Sequence, residues 1–243
     1  MKNAQKFKKL KQVYLFSGAS ASGKTAVLRN LLPLLRSSGI NVSICKIDCL
    51  HTEDDRIYRK IGIPCVVGLS GDICPDHFLV SNLPELWKWA EDNASDILFI
   101  ETAGLCHRCS PATEKMVAGC VVDCTASSRT PGQLGPMLTE SDFIVLTKTD
   151  MVSQAELEIL TASISKLNEK ASIFPVDAMA GYGMELLASF IRTNRQEMDF
   201  SGDKLRYTMP SAVCSYCVGE IRVGSAFQQG VVGKMIFEGK ETE

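Results

Sequence analysis

Gly18-Ala19-Ser20-Ala21-Ser22-Gly23-Lys24-Thr25 matches the pattern G-x-x-x-x-G-K-[ST]. What flanks it decides the fold. A short apolar run at 13–16 comes before it and ends at Ser17-Gly18. A helical pattern at 25–36 follows, with Leu28, Leu31, Leu32 and Leu35 on one face. Strand, glycine-rich loop and helix in that order form a phosphate cradle. The glycines let successive backbone N–H groups wrap phosphate oxygens, and the helix N-terminus adds positive potential. In such a cradle Lys24 reaches the β- and γ-phosphates of a nucleotide, and the Thr25 hydroxyl ligates Mg²⁺.

Further along the chain, strand-like runs stand at 41–47, 65–69, 97–100, 120–123, 143–146 and 172–176. Helical patterns separate several of them. Ser153 and Glu156 form a capping box ahead of the stripe Leu157, Leu160, Ile164 and Leu167, and another helix is expected at 184–192. Alternation of this kind predicts an α/β fold: a P-loop NTPase with a mostly parallel central sheet flanked by helices. Residues 1–11 hold five lysines and read as a solvated basic leader. The nucleotide domain is expected at 12–194. Residues 195–243 read as a linker and a small β-rich, cysteine-containing C-terminal appendage.

Composition narrows the function classes. In 243 residues, 45% hydrophobic and 22% charged content is an ordinary globular profile, which excludes disorder and fibres. A net charge of −2 offers no domain-wide basic field, so nucleic acid is not an expected partner. No apolar run is long enough to span a bilayer, and no apolar signal core follows the lysines, so a cytoplasmic protein is expected. Ten cysteines in a reducing compartment point to thiols rather than disulfides. Cys45, Cys65, Cys120 and Cys124 sit in or beside apolar runs and read as buried thiols. Cys106/Cys109 and Cys214/Cys217 form two C-x-x-C pairs, a spacing for metal or redox chemistry.

The base is indicated by Thr147-Lys148-Thr149-Asp150, which follows the apolar run 143–146 and looks like the guanine motif N/T-K-x-D. A carboxylate at Asp150 accepts from both guanine N1–H and the 2-amino group, and adenine presents neither donor. Further on, residues 176–183, with Asp177, Ala178 and Met179, resemble the loop that follows this motif in GTPases, which implies backbone contact with the base. Glu101 ends the apolar run 97–100 at the edge where ligands bind in open α/β sheets. It is expected to hold Mg²⁺ through water, with the Gly104 amide at the γ-phosphate. Asp48, ending another strand, is a second candidate near the metal and the attacking water.

Over about residues 12–193 these features resemble the nickel-insertion GTPases of hydrogenase and urease maturation, the HypB/UreG family related to the CobW proteins. Asp48 with Thr52, Asp55, Arg56 and Gly62 resembles the family segment after its second strand. Gly71-Asp72-Ile73-Cys74-Pro75-Asp76-His77 resembles its metal-binding switch segment. Residues 100–111, from Ile100-Glu101 through Gly104 to Cys106, Cys109 and Pro111, resemble its I-E-x-x-G segment. The chain departs from the family in five respects: Cys74 and His77 are separated by two residues, Cys109 is an added thiol, no asparagine follows Gly104, the Cys214/Cys217 tail has no counterpart, and the sequence holds no poly-histidine tract.

The resemblance implies a GTP-driven homodimer that binds a metal between subunits and delivers it to a client metalloenzyme or its assembly factors. Cys74, His77, Cys106, Cys109, Cys214 and Cys217 are the candidate ligands, and thiolate with imidazole suits Ni²⁺, Zn²⁺ or a [4Fe–4S] cluster. The expected function is a GTP-hydrolysing metallochaperone or metallocofactor-maturation protein. With no arginine finger evident, its intrinsic turnover should be slow. The alternatives are an Fe–S-bearing, nucleotide-dependent redox or reductase-activating protein and a small-molecule kinase.

Overall fold

A computed structural model of the chain describes residues 10–194, 199–208, 219–228, 230 and 233–237. Among them, seven strands form one sheet: β1 (Gln12–Ser17), β2 (Val42–Asp48), β3 (Cys65–Leu69), β4 (Ile97–Glu101), β5 (Val117–Asp123), β6 (Phe143–Thr147) and β7 (Ser172–Pro175). The strand order is β3-β2-β4-β1-β5-β6-β7, and every neighbouring pair is parallel. The sheet is therefore wholly parallel where the pattern predicted mostly parallel. Its helices are α1 (Lys24–Ser37), α2 (Asp54–Lys60), α3 (Pro75–Asp92), the short α4 (Thr130–Gln133) and α5 (Pro136–Thr139), α6 (Gln154–Leu167) and α7 (Met184–Thr193). None is long and apolar enough to cross a membrane.

Parallel strands covered on both faces become continuous apolar runs, and β1 is buried along its whole length. On one face Tyr14, Phe16, Phe99 and Phe143 pack ring against ring beneath α1 and α7. On the other face Leu15, Ile47 and Ile100 meet Phe78, Leu83 and Trp87 of α3. A third cluster joins Cys120, Val122, Ile144 and Leu146 to Leu160 and Ile164 of α6. The Ser153–Glu156 capping box forms as the sequence predicts, with both reciprocal bonds made. Cys45, Cys65, Cys120 and Cys124 are buried.

The described part of the tail does not stand apart as a β-rich appendage. It carries isolated bridges, Thr113 with Leu205 and Lys204 with Arg222, and folds back onto the nucleotide domain. Phe200 stacks on Trp87 at 5.1 Å, and Phe200, Leu205, Val223 and Met235 complete the core around α3. The Arg206 guanidinium grips Asp142 at 2.6 and 3.1 Å and donates to Met116 O at 2.6 Å. Asn82 clips the chain further on, donating to Gly233 O and accepting from Met235 N. Of the leader, residues 1–9 lie outside the described residues, while Leu10 is buried in the same core.

Candidate functional site

The loop between β1 and α1 is held by backbone geometry that only glycine tolerates at two points. Gly18 adopts φ 138°, and a Cβ there would lie 2.4 Å from Val121 O. Gly23, at the N-cap of α1, adopts φ 95°. Lys24 folds back over this loop, donating to Gly18 O at 3.0 Å and Ala19 O at 2.8 Å. Burial strips its ammonium of water and lowers its pKa to about 8, although Glu101 acts in the opposite direction. A cleft of about 430 Å³ opens here, walled by the loop, Lys46, Asp48, Asp54, Glu101 and Leu105.

The ends of β2 and β4 and the start of α2 place a charged corner beside Thr25. The Thr25 hydroxyl lies 2.7 Å from Glu101 Oε1 and 3.1 Å from Asp54 Oδ2. Lys46 Nζ lies 2.8 Å from each of the same two oxygens. The Tyr58 hydroxyl donates to Glu101 Oε2 at 2.6 Å. Glu101 is only 1% exposed. Burial alone would pull the Lys46 ammonium down, but Glu101 and Asp54 outweigh it and raise its pKa. Burial, then Glu101, pushes the Tyr58 phenol up.

Hydroxyl and carboxylate oxygens are the donor set Mg²⁺ takes beside a nucleotide, so the corner fits that ion. The second carboxylate touching Thr25, after Glu101, is Asp54, however, not Asp48. Asp48 lines the cleft and accepts from the Cys49 N–H at 2.8 Å. Lys46, Asp54 and Tyr58 were not singled out from the sequence. The one signal was a lysine inside the apolar run 41–47, which demands a buried partner.

Gly104 abuts the phosphate loop. A Cβ there would lie 2.2 Å from Gly18 O and 2.8 Å from Lys24 Nζ, and Gly104 O accepts from Ser20 N at 3.1 Å. On the opposite side the base-motif residues are tied to the same loop. Thr147 Oγ1 donates to Ser22 O at 2.7 Å. Lys148, left-handed at φ 57°, pairs with Asp123 and reaches Ala21 O at 3.5 Å. Asp150 is exposed in the 3₁₀ turn Thr149–Met151. Asp177 Oδ1 accepts from Met179 N at 2.8 Å and Ala180 N at 3.0 Å, bending the following loop. Asn30 of α1 holds that loop through Ala178 O at 2.7 Å.

The thiols lie beyond Gly104. Cys74 caps α3 half-buried, and Cys106 is half-buried. Cys109 is buried, its Sγ 3.5 Å from Asp76 Oδ2. Burial, and then Asp76, pushes the Cys109 thiol far up, while burial raises the Asp76 carboxyl to about 6. His77 is not in a loop. It stands in the first turns of α3, fully buried, and burial lowers its pKa. Among the described residues no three His, Cys, Asp or Glu side chains converge to hold a metal ion. Cys214 and Cys217 lie outside the described residues.

The model of the CobW/HypB/UreG nucleotide-binding domain matches residues 12–175. An uncharacterised protein of Methanocaldococcus jannaschii is 41% identical across 94% of this chain and all of its own length. Urease accessory protein UreG 2 of Streptomyces griseus is 26% identical, over 74% of this chain and 85% of its own. Among solved structures, HypB from Helicobacter pylori in complex with nickel superposes with a TM-score of 0.61 at 20% identity, covering 77% of this chain and 90% of its own. HypB from Archaeoglobus fulgidus gives 0.58 at 19% identity, over 75% and 89%. The chain belongs to the CobW/HypB/UreG family and has its P-loop GTPase fold.

Proposed function

We propose that the protein is a Mg²⁺-dependent GTPase whose nucleotide state governs the binding and delivery of a transition metal, in the cytoplasm. The observation that carries this reading is Gly104, wedged against the phosphate loop two residues before Cys106. A γ-phosphate beside Lys24 presses on that glycine, and the displacement passes along the backbone to the thiols.

The hydrolysis chemistry follows from the cleft. Loop N–H groups and the Lys24 ammonium hold the β- and γ-phosphates. Thr25, Glu101 and Asp54 would hold Mg²⁺, which supplies charge neutralisation to the phosphate oxygens. Asp48, on the cleft wall, orients water in line with the γ-phosphorus. Water forms the new P–O bond as the bond to the β-phosphate oxygen breaks, giving GDP and inorganic phosphate. Asp150 accepts from guanine, while Lys148 lies along the base and the 177–179 backbone closes its edge.

The half-exposed thiols Cys74 and Cys106 provide two ligands per chain. A second copy would bring the set to four, enough for a tetrahedral Ni²⁺ or Zn²⁺ site. A UreG relative at 26% identity supports a client metalloenzyme as the destination.

Nucleotide binding across pH tests the GTPase reading. GTP should bind well and ATP poorly, since adenine gives Asp150 nothing to accept. GTP affinity should also fall above pH 8. Free Lys24 loses its proton near pH 8 and phosphate binding restores it, so each further pH unit weakens binding up to about tenfold until the ordinary lysine range. The charge must be in place for binding, so no such loss occurs below pH 8. Equal binding of ATP and GTP, or affinity flat to pH 10, would count against this account.

A further inference from the structure

Lys46 and Thr25 address one pair of oxygens. Nζ of Lys46 lies 2.8 Å from both Glu101 Oε1 and Asp54 Oδ2, and Thr25 Oγ1 lies 2.7 and 3.1 Å from the same two atoms. The remaining Glu101 oxygen is taken by the Tyr58 hydroxyl. Neither Lys46 nor Glu101 is in water: their side chains are 7% and 1% exposed. A divalent ion that binds either oxygen beside Thr25 must share it with an ammonium or displace it.

Charge counting shows the consequence. The cleft sets Lys24 and Lys46 against Glu101, Asp54 and Asp48, two positive charges against three negative, a net −1 before any ligand enters. The N-terminus of α1 adds further positive potential. Adding a divalent cation alone turns that to a net +1 beside the Lys46 and Glu101 side chains, which are out of water, and this is unfavourable. Nucleotide phosphates bring several negative charges and reverse that balance.

We propose that Lys46 is a positioning residue, an internal counter-cation that holds the Glu101 and Asp54 oxygens in the nucleotide-free protein and excludes a divalent cation until phosphates arrive. This deepens the nucleotide reading above and rests on its assignment of the Thr25–Glu101 corner to Mg²⁺. Ordered entry follows: nucleotide binding is the condition for tight cation binding, not its result.

Mn²⁺ serves as the probe, because free Mn²⁺ is counted directly by electron paramagnetic resonance. The nucleotide-free full-length wild type should bind it weakly. Lys46→Met should bind it at least tenfold more tightly, Lys46→Arg should return to the weak wild-type level, and Lys46→Met with Glu101→Gln should lose the gain. Thermal melting gives a second reading should Lys46→Met prove unstable. Mn²⁺ should raise the midpoint of Lys46→Met by more than it raises wild type, because an ion that binds the native state stabilises it according to its affinity.

A lysine serving only as structural glue predicts a lower midpoint with no preferential rescue by Mn²⁺. Equal Mn²⁺ affinity and equal melting shifts in wild type and Lys46→Met would overturn the proposal, as would a gain that survives Glu101→Gln. These measurements contain no nucleotide. Failure to bind GTP together with a Mn²⁺ gain would therefore reject the GTPase reading alone, and GTP turnover without the gain would reject only the role of Lys46.

Discussion

Lys24→Ala is expected to lower GTP turnover by about 10²–10³-fold or more, the scale seen when a pre-placed donor to a developing charge is removed. The ammonium already lies over the loop, bonded to Gly18 O and Ala19 O, with its side chain aimed along the cleft rather than into the core. The fold should survive the change. Lys24 is 5% exposed and its pKa is lowered to about 8, so in the free protein its charge opposes folding. The linkage runs accordingly: below pH 8 the native state holds a poorly solvated ammonium, at a cost of roughly 2–4 kcal/mol, and alanine removes it. Multiple-turnover phosphate release and thermal melting check both halves. The expected pair is lost turnover with a midpoint at pH 7 no lower than wild type. An unchanged rate would remove the phosphate loop from the mechanism.

The second large effect concerns the base. Asp150→Asn should weaken GTP by about 10²–10³-fold: the hydrogen bond from the 2-amino group is lost and the one from N1–H passes to an uncharged acceptor, together about 3–4 kcal/mol when a bond to a charged acceptor is worth about 1.5–3. It should also turn the preference toward xanthosine triphosphate. The asparagine amide presents a donor to the guanine 2-amino group, whereas xanthine offers a carbonyl at that position. Asp150 is exposed in its turn, so folding stability should stay within about 0.5 kcal/mol of wild type. Competition binding with the two nucleotides reads the switch. A mutant that keeps its guanine preference would place the base elsewhere.

The nucleotide site was legible where its chemistry depends on residues close in sequence. Gly18, Gly23, Lys24 and Thr25 stand within one turn of chain, and Thr147 to Asp150 follow an apolar strand. The two segments are neighbours in the fold, for Thr147 and Lys148 bond directly to the Ser22 and Ala21 carbonyls of the loop. The corner beside Thr25 was legible only by half. Glu101 was visible as a carboxylate ending an apolar run. Asp54 and Tyr58 sit on a seven-residue helix too short to show a period, and only the fold brings them to Glu101.

The helix α3 was illegible for the opposite reason. Its first half, Pro75 to Leu83, is buried on every side and Pro84 interrupts the repeat, so an exposed polar face appears only from Glu85 onward. That hid the setting of Cys74 and His77, one capping the helix and the other buried within it. It also hid what the tail does, because Phe200 and Met235 complete a core whose other half is α3. A tail with few helical signals read as an appendage, although its apolar residues belong to the main body.

Coupling between the nucleotide and the thiols is what would make this GTPase fold a metal carrier. Gly104 joins the two, and linkage requires the coupling to be reciprocal, typically about 5–150-fold in affinity. The direct measurement is a Ni²⁺ and Zn²⁺ titration of the full-length protein loaded with Mg²⁺–GDP or with a non-hydrolysable GTP analogue, repeated on Cys106→Ala. The predicted result is a metal affinity that differs between the two nucleotide states by at least fivefold, with the difference lost in Cys106→Ala. Equal affinity in both states, or a difference that Cys106→Ala leaves intact, would contradict it.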